Sequence, residues 1–181
     1  MYNYISSIDY INNLTFEYVE TYSFQRGPDF ENKMKLIKPE YDRLKVRKEK
    51  RDNLTQLEAD RFEELDNLLG FTQYILNDKG QFHPSSIKTK VFSATDPRID
   101  ELKDILRTEV KHIPSWMCAP FYRDAFVFYD KANKIVSTLN VCLSCEYMAT
   151  KKFSHINADE KTYKLFRQFF LDIGHSIEEI G

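Results

Sequence analysis

The sequence predicts an α+β fold, with an antiparallel sheet built on a central hairpin at about 124–143 and helices packed mainly on one face. Apolar residues alternate at strand spacing in some segments and recur at helix spacing in others. Gly and Pro are scarce, at 5 and 6 of 181 residues, which argues against a turn-rich β-sandwich. A parallel α/β arrangement is the alternative. The length suits one domain, residues 1–181, with a charge-rich segment at about 40–66.

Three segments have the apolar spacing of an amphipathic helix: about 56–69, 97–110 and 158–173. The first follows Thr55 and contains Glu58, and this pair has the spacing of a capping box that satisfies free backbone N–H groups. The second follows Asp96, a favourable N-cap residue, and begins at Pro97. The third places four apolar residues on one stripe: Phe166, Phe169, Phe170 and Ile173.

The clearest strand signals lie at residues 14–24 and 125–129. In the first segment apolar and polar residues alternate, which is typical of a half-buried strand. The second segment is apolar on both faces, as expected of a central strand, and a turn at 130–133 leads into its return strand. Residues 71–94 predict one or two short strands, whereas residues 40–54 fit no clean period.

Charge and hydropathy indicate the compartment and the partners. The formal net charge is −2, so no global field attracts nucleic acid or an anionic membrane. A basic run at 43–51 is followed by acidic residues at 58–66, which favours a self-compensating solvated surface. The N-terminus lacks the pattern of a signal peptide, and no stretch approaches the ~20 apolar residues of a membrane span. We therefore expect a cytoplasmic protein whose partner is another protein.

The most informative chemical feature is the set of three cysteines, Cys118, Cys142 and Cys145, the last two of which form a C-x-x-C. A hairpin turn centred on residues 131–132 would place Cys118 opposite Cys145. Directly opposed residues of antiparallel strands have Cβ atoms about 4.5–5.5 Å apart. The three thiols are therefore expected to converge if the chain bends after Cys142.

Three interpretations of these thiols compete. Three thiolates with His155 as the fourth ligand would bind zinc, with His112 and His175 as other candidate ligands. Alternatively, Cys142 and Cys145 form a redox pair. The third interpretation is that the cysteines are small buried hydrophobic residues, the commonest fate of free cysteine. A single C-x-x-C favours packing over zinc and zinc over redox chemistry.

Three residues near the hairpin are candidate binding residues. Trp116 and Met117 lie beside Cys118 and are typical of contact surfaces. Arg123 would suit a ligand carboxylate or phosphate, whereas the structural alternative is that Asp124 pairs with a nearby basic group. The sequence contains no motif of a catalytic site, so no catalytic residue is predicted and enzymatic activity is not expected.

The hairpin also carries a resemblance. Residues 122–129 and 140–145 are similar to a hairpin of small uncharacterised bacterial proteins that share its Phe-Tyr strand and C-x-x-C ending, over about 118–146. The resemblance implies no activity and no site. Together with the lack of catalytic motifs, these features predict a non-enzymatic bacterial protein that binds or regulates another protein, as immunity proteins, antitoxins and adaptors do. The alternative is a zinc-binding or thiol-redox protein that uses the cysteines.

Overall fold

A computed structural model describes residues 3–70, 73–115 and 118–177 of the chain. Its helices are α1 (Ser7–Asn12), α2 (Pro28–Glu49), α3 (Gln56–Leu69), α4 (Pro97–Leu106) and α5 (Glu160–Asp172). Its strands are β1 (Asn3–Ser6), β2 (Tyr18–Phe24), β3 (Ser86–Ser93), β4 (Asp124–Tyr129), β5 (Ile135–Cys142), β6 (Tyr147–Lys151) and β7 (Ser154–Asn157). Within the described residues these strands form one seven-stranded sheet in the order β1-β7-β6-β5-β4-β2-β3. The α+β class is confirmed.

The sheet is mixed, so the prediction of an antiparallel sheet built on a central hairpin was wrong. β1 pairs in parallel with β7, and the other described neighbours are antiparallel. The segment at 124–143 does form the β4–β5 hairpin, but three strands extend the sheet beyond β5 and two beyond β4. β1 and β7 are four residues long and lie near opposite ends of the chain, so neither has a local signal of its pairing.

One face of the sheet is covered by α1, α4 and α5, and it holds the larger hydrophobic core. Phe126 of β4 lies at its centre, with its ring centroid 5.1 to 5.7 Å from three rings of α5: Phe166, Phe169 and Phe170. The predicted stripe on this helix therefore faces the core. The helix predicted at 97–110 ends earlier, at Leu106.

The first of the predicted helices, at 56–69, does not pack on this face. α3 occupies the predicted 56–69 segment, with both hydrogen bonds of the capping box formed, but it packs on α2. The two helices form an antiparallel hairpin, here named the helical arm (28–69), which has its own small core: Tyr41, Leu44, Phe62 and Leu65. Ion pairs join the two helices, Arg47 with Glu58 and Arg61 with Glu40.

None of the described helices is both long and apolar enough to span a lipid bilayer.

The other face of the sheet is partly covered by the segment 73–85, here named the cover segment. Ile75 of this segment is fully buried against residues of β2 and β4. Its N–H donates to the side-chain oxygen of Asn140 at 2.7 Å, and the Asn140 amide donates to the carbonyl of Ala149 at 2.9 Å. A fully buried asparagine therefore fixes the cover segment to β5 and β6. Of the short strands predicted at 71–94, β3 forms, and Leu76 and Phe82 make an isolated bridge.

The outer edge of the sheet at β3 is protected from further strand pairing. The pairing of β2 with β3 shifts between Thr21 and Tyr22, so Thr89 is the additional residue of a β-bulge. Lys88 and Lys90 flank the bulge on the exposed edge. Charged residues and bulges both discourage another chain from adding a strand.

Asp159, the N-cap of α5, provides a pH-dependent prediction. Its carboxylate accepts backbone N–H groups of Lys111, His112 and Lys161 at 2.8 to 3.0 Å. These bonds, that from His112 first, lower the pKa of Asp159 from 3.8 to about 2. A lowered pKa stabilises the fold above pH 3.8, and this stabilisation is lost as the pH falls through about 2.

We therefore expect Asp159→Asn to be less stable than the wild type near neutral pH, and the difference to shrink between pH 3.8 and about 2. Urea unfolding across this range measures it. Asp100→Asn is the control, since the Asp100 side chain is 76% exposed. A difference that stays constant with pH would contradict the assignment.

Candidate functional site

A large groove lies on the second face of the sheet, between the cover segment and the outer surface of β5, β6 and β7. Its volume is about 1180 Å³. Thr138, Thr150 and His155 contribute strand residues to its lining, and the C-terminal end of α3 contributes Asp66 and Asn67. The groove therefore lies where the helical arm, the cover segment and the sheet meet.

Four apolar side chains of the groove are exposed, at 38 to 45% of their area: Phe82, Ile135, Val136 and Phe153. Phe82 is held by stacking on Tyr22, with ring centroids 5.0 Å apart. The pairing of β4 with β5 shifts by one residue at Val136, which makes Val136 the additional residue of an irregularity in the ladder. Irregularities of this kind change the direction of a side chain and are frequent at functional sites.

Two histidines of the groove are largely uncharged at neutral pH. Burial lowers the pKa of His83 to about 4, against a smaller opposing effect of the Asn67 backbone. His83 Nδ1 accepts the N–H of Ser85 at 3.2 Å, and the ring stacks on Phe24. Burial also lowers the pKa of His155, which stacks on Tyr4 with centroids 5.3 Å apart. These rings therefore add polar but weakly charged surface to the groove.

The structure brings two of the three cysteines together. Cys118 and Cys145 form a disulfide with a Cα–Cα distance of 6.3 Å. Cys142 is a free, fully buried thiol at the end of β5, and it belongs to the same packed cluster as Cys145. The backbone N–H of Phe121 donates to Cys142 Sγ at 3.2 Å.

In this covalent state the three cysteines do not supply three thiolates, because the disulfide uses the sulfurs of Cys118 and Cys145. Among the described residues, no group of three or more His, Cys, Asp or Glu side chains is arranged to hold a metal ion. His155, the proposed fourth ligand, lies on β7 opposite Ala149 of β6. Zinc binding by Cys118, Cys142, Cys145 and His155 stays a prediction for the reduced chain.

Of the predicted binding residues, Trp116 and Met117 lie outside the described residues. The guanidinium of Arg123 lies 5.1 Å from the centre of the Phe121 ring. Arg123 also lines a small crevice of about 30 Å³. A carboxylate or phosphate ligand of Arg123 stays a prediction.

Asp124 is the centre of a buried polar network that joins distant parts of the chain. Its Oδ1 accepts from Arg26 at 2.7 Å and lies 2.8 Å from His175 Nδ1. The Asp124 and His175 side chains are 2% and 0% exposed, and Arg26 is 9% exposed. The sequence analysis offered a nearby basic group as the partner of Asp124. Its partners are basic, but they are distant in the sequence.

The position of His175 follows from the way α5 ends. The N–H of His175 bonds the Phe170 carbonyl at 2.9 Å, and the N–H of Gly174 bonds the Leu171 carbonyl at 3.0 Å. Gly174 has φ +89°, so these bonds form a Schellman motif. The motif stacks the His175 ring on Phe170, with centroids 4.9 Å apart, and directs it to Asp124. The sequence assigned His175 only as an alternative zinc ligand.

The network resembles a carboxylate–imidazole–hydroxyl relay, because His175 Nε2 lies 2.7 Å from Thr89 Oγ1. However, Thr89 Oγ1 also lies 2.7 Å from Thr21 Oγ1 and 3.0 Å from the Thr21 carbonyl oxygen. The Thr89 hydroxyl oxygen therefore has three protein partners within hydrogen-bond distance. The network therefore joins the bulge of β3 to β4 and to the end of α5, and its role is structural.

A second buried carboxylate lies on the opposite face of β2. Glu20 Oε2 accepts the hydroxyls of Tyr22 and Tyr129 at 2.6 and 2.9 Å, and Oε1 accepts Lys88 Nζ at 2.8 Å. Burial raises the pKa of Glu20, but these hydrogen bonds together lower it below its usual value. Glu20 is therefore an ionised acceptor with bonds to both oxygens, and it stabilises the ladder between β2, β3 and β4.

Comparison of the chain with protein-family models, with curated proteins and with solved structures finds no match. The fold and the site define an α+β protein with an open groove on one face of its sheet.

Proposed function

We propose that this chain is a non-enzymatic protein that binds another protein, with the groove as the binding site for a segment of the partner. The observation that carries the proposal is the set of exposed apolar side chains around a groove of about 1180 Å³. Exposed apolar groups bordered by polar residues are typical of interaction surfaces. The occupant that we propose is a polypeptide segment with apolar side chains at intervals along a polar backbone.

The dimensions and the charge of the groove favour a polypeptide over a small metabolite. Small-molecule sites typically have volumes of about 300–1,000 Å³ and enclose most of the ligand. This groove is larger and open, and its charges are mixed, with Asp66 and Asp78 as well as Lys151 and Lys152. Mixed charge around an apolar centre is typical of a protein interface.

The kind of partner follows the same reasoning. A chain that acts by occupying a groove with a partner segment has the mode of action of immunity proteins, antitoxins and adaptors, and we propose a bacterial, cytoplasmic setting for it. Neither the groove nor the cover segment needs a cofactor for this role.

The experiment compares two exposed valines, both on strands. Val136 lines the groove and is 42% exposed, whereas Val91 lies on the edge strand β3 and is 56% exposed. We expect Val136→Asp to reduce partner binding at least tenfold, because a desolvated carboxylate among apolar contacts costs more than ~1.4 kcal/mol. Val91→Asp should bind as the wild type does. Co-purification from the producing cells, followed by titration of the purified partner, measures both.

Equal binding by both variants, or equal loss in both, would place the interface elsewhere. Absence of any stoichiometric partner of the wild-type chain would refute the protein-binding function itself. Since Val136 is exposed, Val136→Asp is expected to unfold within about 0.5 kcal/mol of the wild type. Val91→Asp places a carboxylate opposite Glu20 and is expected to lose up to about 1 kcal/mol, and urea unfolding measures both variants.

A further inference from the structure

The disulfide joins two segments that no described strand pairing connects. Cys118 lies in the connection between α4 and β4, and Cys145 lies in the turn between β5 and β6. The first segment also contributes Pro120 to the groove. The bond therefore fixes one wall of the groove to the end of the β5–β6 hairpin.

The third cysteine lies beside this bond. Cys142 is three residues before Cys145, is fully buried, and shares a packed cluster with Cys145, Tyr122 and Ala149. Its sulfur accepts the N–H of Phe121, a residue of the segment that contains Cys118. A free thiol thus lies between the two segments that the disulfide joins.

From this placement we propose that Cys118, Cys142 and Cys145 form an intramolecular thiol–disulfide exchange site. Cys142 passes its proton to solvent by way of the exposed Ser144 hydroxyl, whose Oγ lies 3.4 Å from Cys142 Sγ, and the Cys142 thiolate attacks Cys145 Sγ. The Cys142–Cys145 bond forms as the Cys118–Cys145 bond breaks, and the electron pair leaves on Cys118, which takes up a proton. One disulfide and one thiol are present before and after the step, so it consumes no oxidant.

The chain positions make the exchange local. Cys142 is the last residue of β5, and Cys145 lies in the four-residue turn 143–146 that follows it. A Cys142–Cys145 bond therefore closes a short loop within one hairpin. The consequence is release of Cys118 from the β5–β6 turn, while the N–H of Arg123 still donates to the Val141 carbonyl at 3.3 Å. Tyr74 lines the groove and also packs on the cysteine cluster, so the two disulfide states differ at one end of the groove. The exchange itself does not depend on the proposed function.

The experiment maps the disulfides in three full-length proteins: the wild type, Cys118→Ser and Cys142→Ser. Each folded protein is equilibrated with a series of reduced and oxidised glutathione mixtures, alkylated with iodoacetamide in denaturant, and digested without reduction for mass spectrometry. We expect Cys118→Ser to form the Cys142–Cys145 disulfide and to lose both alkylation sites. The wild type should contain both linkages, and Cys142→Ser should contain Cys118–Cys145 alone.

The proposal is overturned if Cys118→Ser keeps two alkylatable thiols in mixtures that oxidise Cys142→Ser completely. Should Cys118→Ser fail to fold, the wild type decides: folded wild type that contains Cys118–Cys145 and no Cys142–Cys145 linkage at any glutathione ratio overturns the proposal. These readouts are covalent linkages, so failure of the groove to bind a partner leaves them unchanged, and the two proposals fail separately.

Discussion

Asp124→Ala is expected to lower the free energy of unfolding by about 3–5 kcal/mol, the effect of removing one partner from a buried ion pair. The substitution leaves the Arg26 guanidinium and the His175 ring facing a cavity with no anion, at side-chain exposures of 9% and 0%. Both lose a hydrogen bond of 2.7 to 2.8 Å inside the protein. Guanidinium unfolding followed by circular dichroism at neutral pH measures the loss.

Two variants serve as controls for Asp124→Ala. Asp124→Asn keeps the shape and one oxygen acceptor, so we expect an intermediate loss. Asp100→Ala removes an exposed carboxylate that lies 3.8 Å from Lys103, and exposed pairs contribute at most about 1 kcal/mol. If Asp124→Ala cost no more than Asp100→Ala, the network would not contribute to stability as we describe.

The network also shows what the sequence can predict about a buried charge. Asp124 follows Arg123 and stands directly before the apolar residues 125–129, and this position indicates that its carboxylate needs a basic partner. Its partners are 98 and 51 positions away, Arg26 and His175. Different structural elements bring the two partners to Asp124. Arg26 lies in the turn after β2, and His175 lies just after the end of α5. Contacts between residues so far apart in the sequence depend on the order of the strands in the sheet, and a local sequence pattern does not show that order.

The helices α3 and α4 were predicted from their local start signals, whereas α2 was not predicted, although Pro28 stands at its start and Asp29 and Glu31 lie in its first turn. Both hydrogen bonds of the capping box at Thr55 and Glu58 form, so α3 begins and ends where predicted. α2 has a proline, Pro39, in its interior and buries only Tyr41 and Leu44 among its 22 residues. A narrow buried stripe gives a weak periodic signal, because most positions of such a helix contact solvent.

The proximity of Cys118 to Cys145 was predicted correctly, but the hairpin register from which it was predicted was wrong. A turn centred on residues 131–132 would pair Asp124 with Leu139, whereas the structure pairs Asp124 with Val141. The Asp130 carboxylate accepts two backbone N–H groups in the turn, and the additional residue Val136 shifts the return strand. The Cys118 sulfur reaches Cys145 because the segment at 118–123 runs beside the end of β5, with the Phe121 N–H on Cys142 Sγ.

The groove could not be predicted from the sequence, because it is formed by several separate parts of the chain. Its lining comes from α3, the cover segment, β5 and the β6–β7 hairpin, which are separate parts of the sequence. Exposed apolar residues such as Val136 and Phe153 look like core residues in a sequence, because alternation in a strand shows which side chains share a face but not which face is covered. The covering of this face depends on Ile75 and Asn140, which lie 65 positions apart.

Phe126→Ala is expected to lower the free energy of unfolding by about 3–5 kcal/mol, as Asp124→Ala does. Phe126 is fully buried, and its ring lies within 6.4 Å of the rings of four other phenylalanines. Removing the ring leaves a cavity between β4 and α5 that rigid neighbours on the sheet cannot fill. Thermal and urea unfolding measure the loss.

The matched control for Phe126→Ala is Phe121→Ala, since Phe121 is 50% exposed and its ring contacts mainly the Arg123 guanidinium among the described ring contacts. We expect this variant to lose about 1 kcal/mol or less, the contribution of an exposed cation–π pair. Because both substitutions remove the same ring, the difference between them isolates burial. Equal losses would mean that α5 does not pack closely on β4, and the larger core would then contribute less to stability than the contacts of Phe126 indicate.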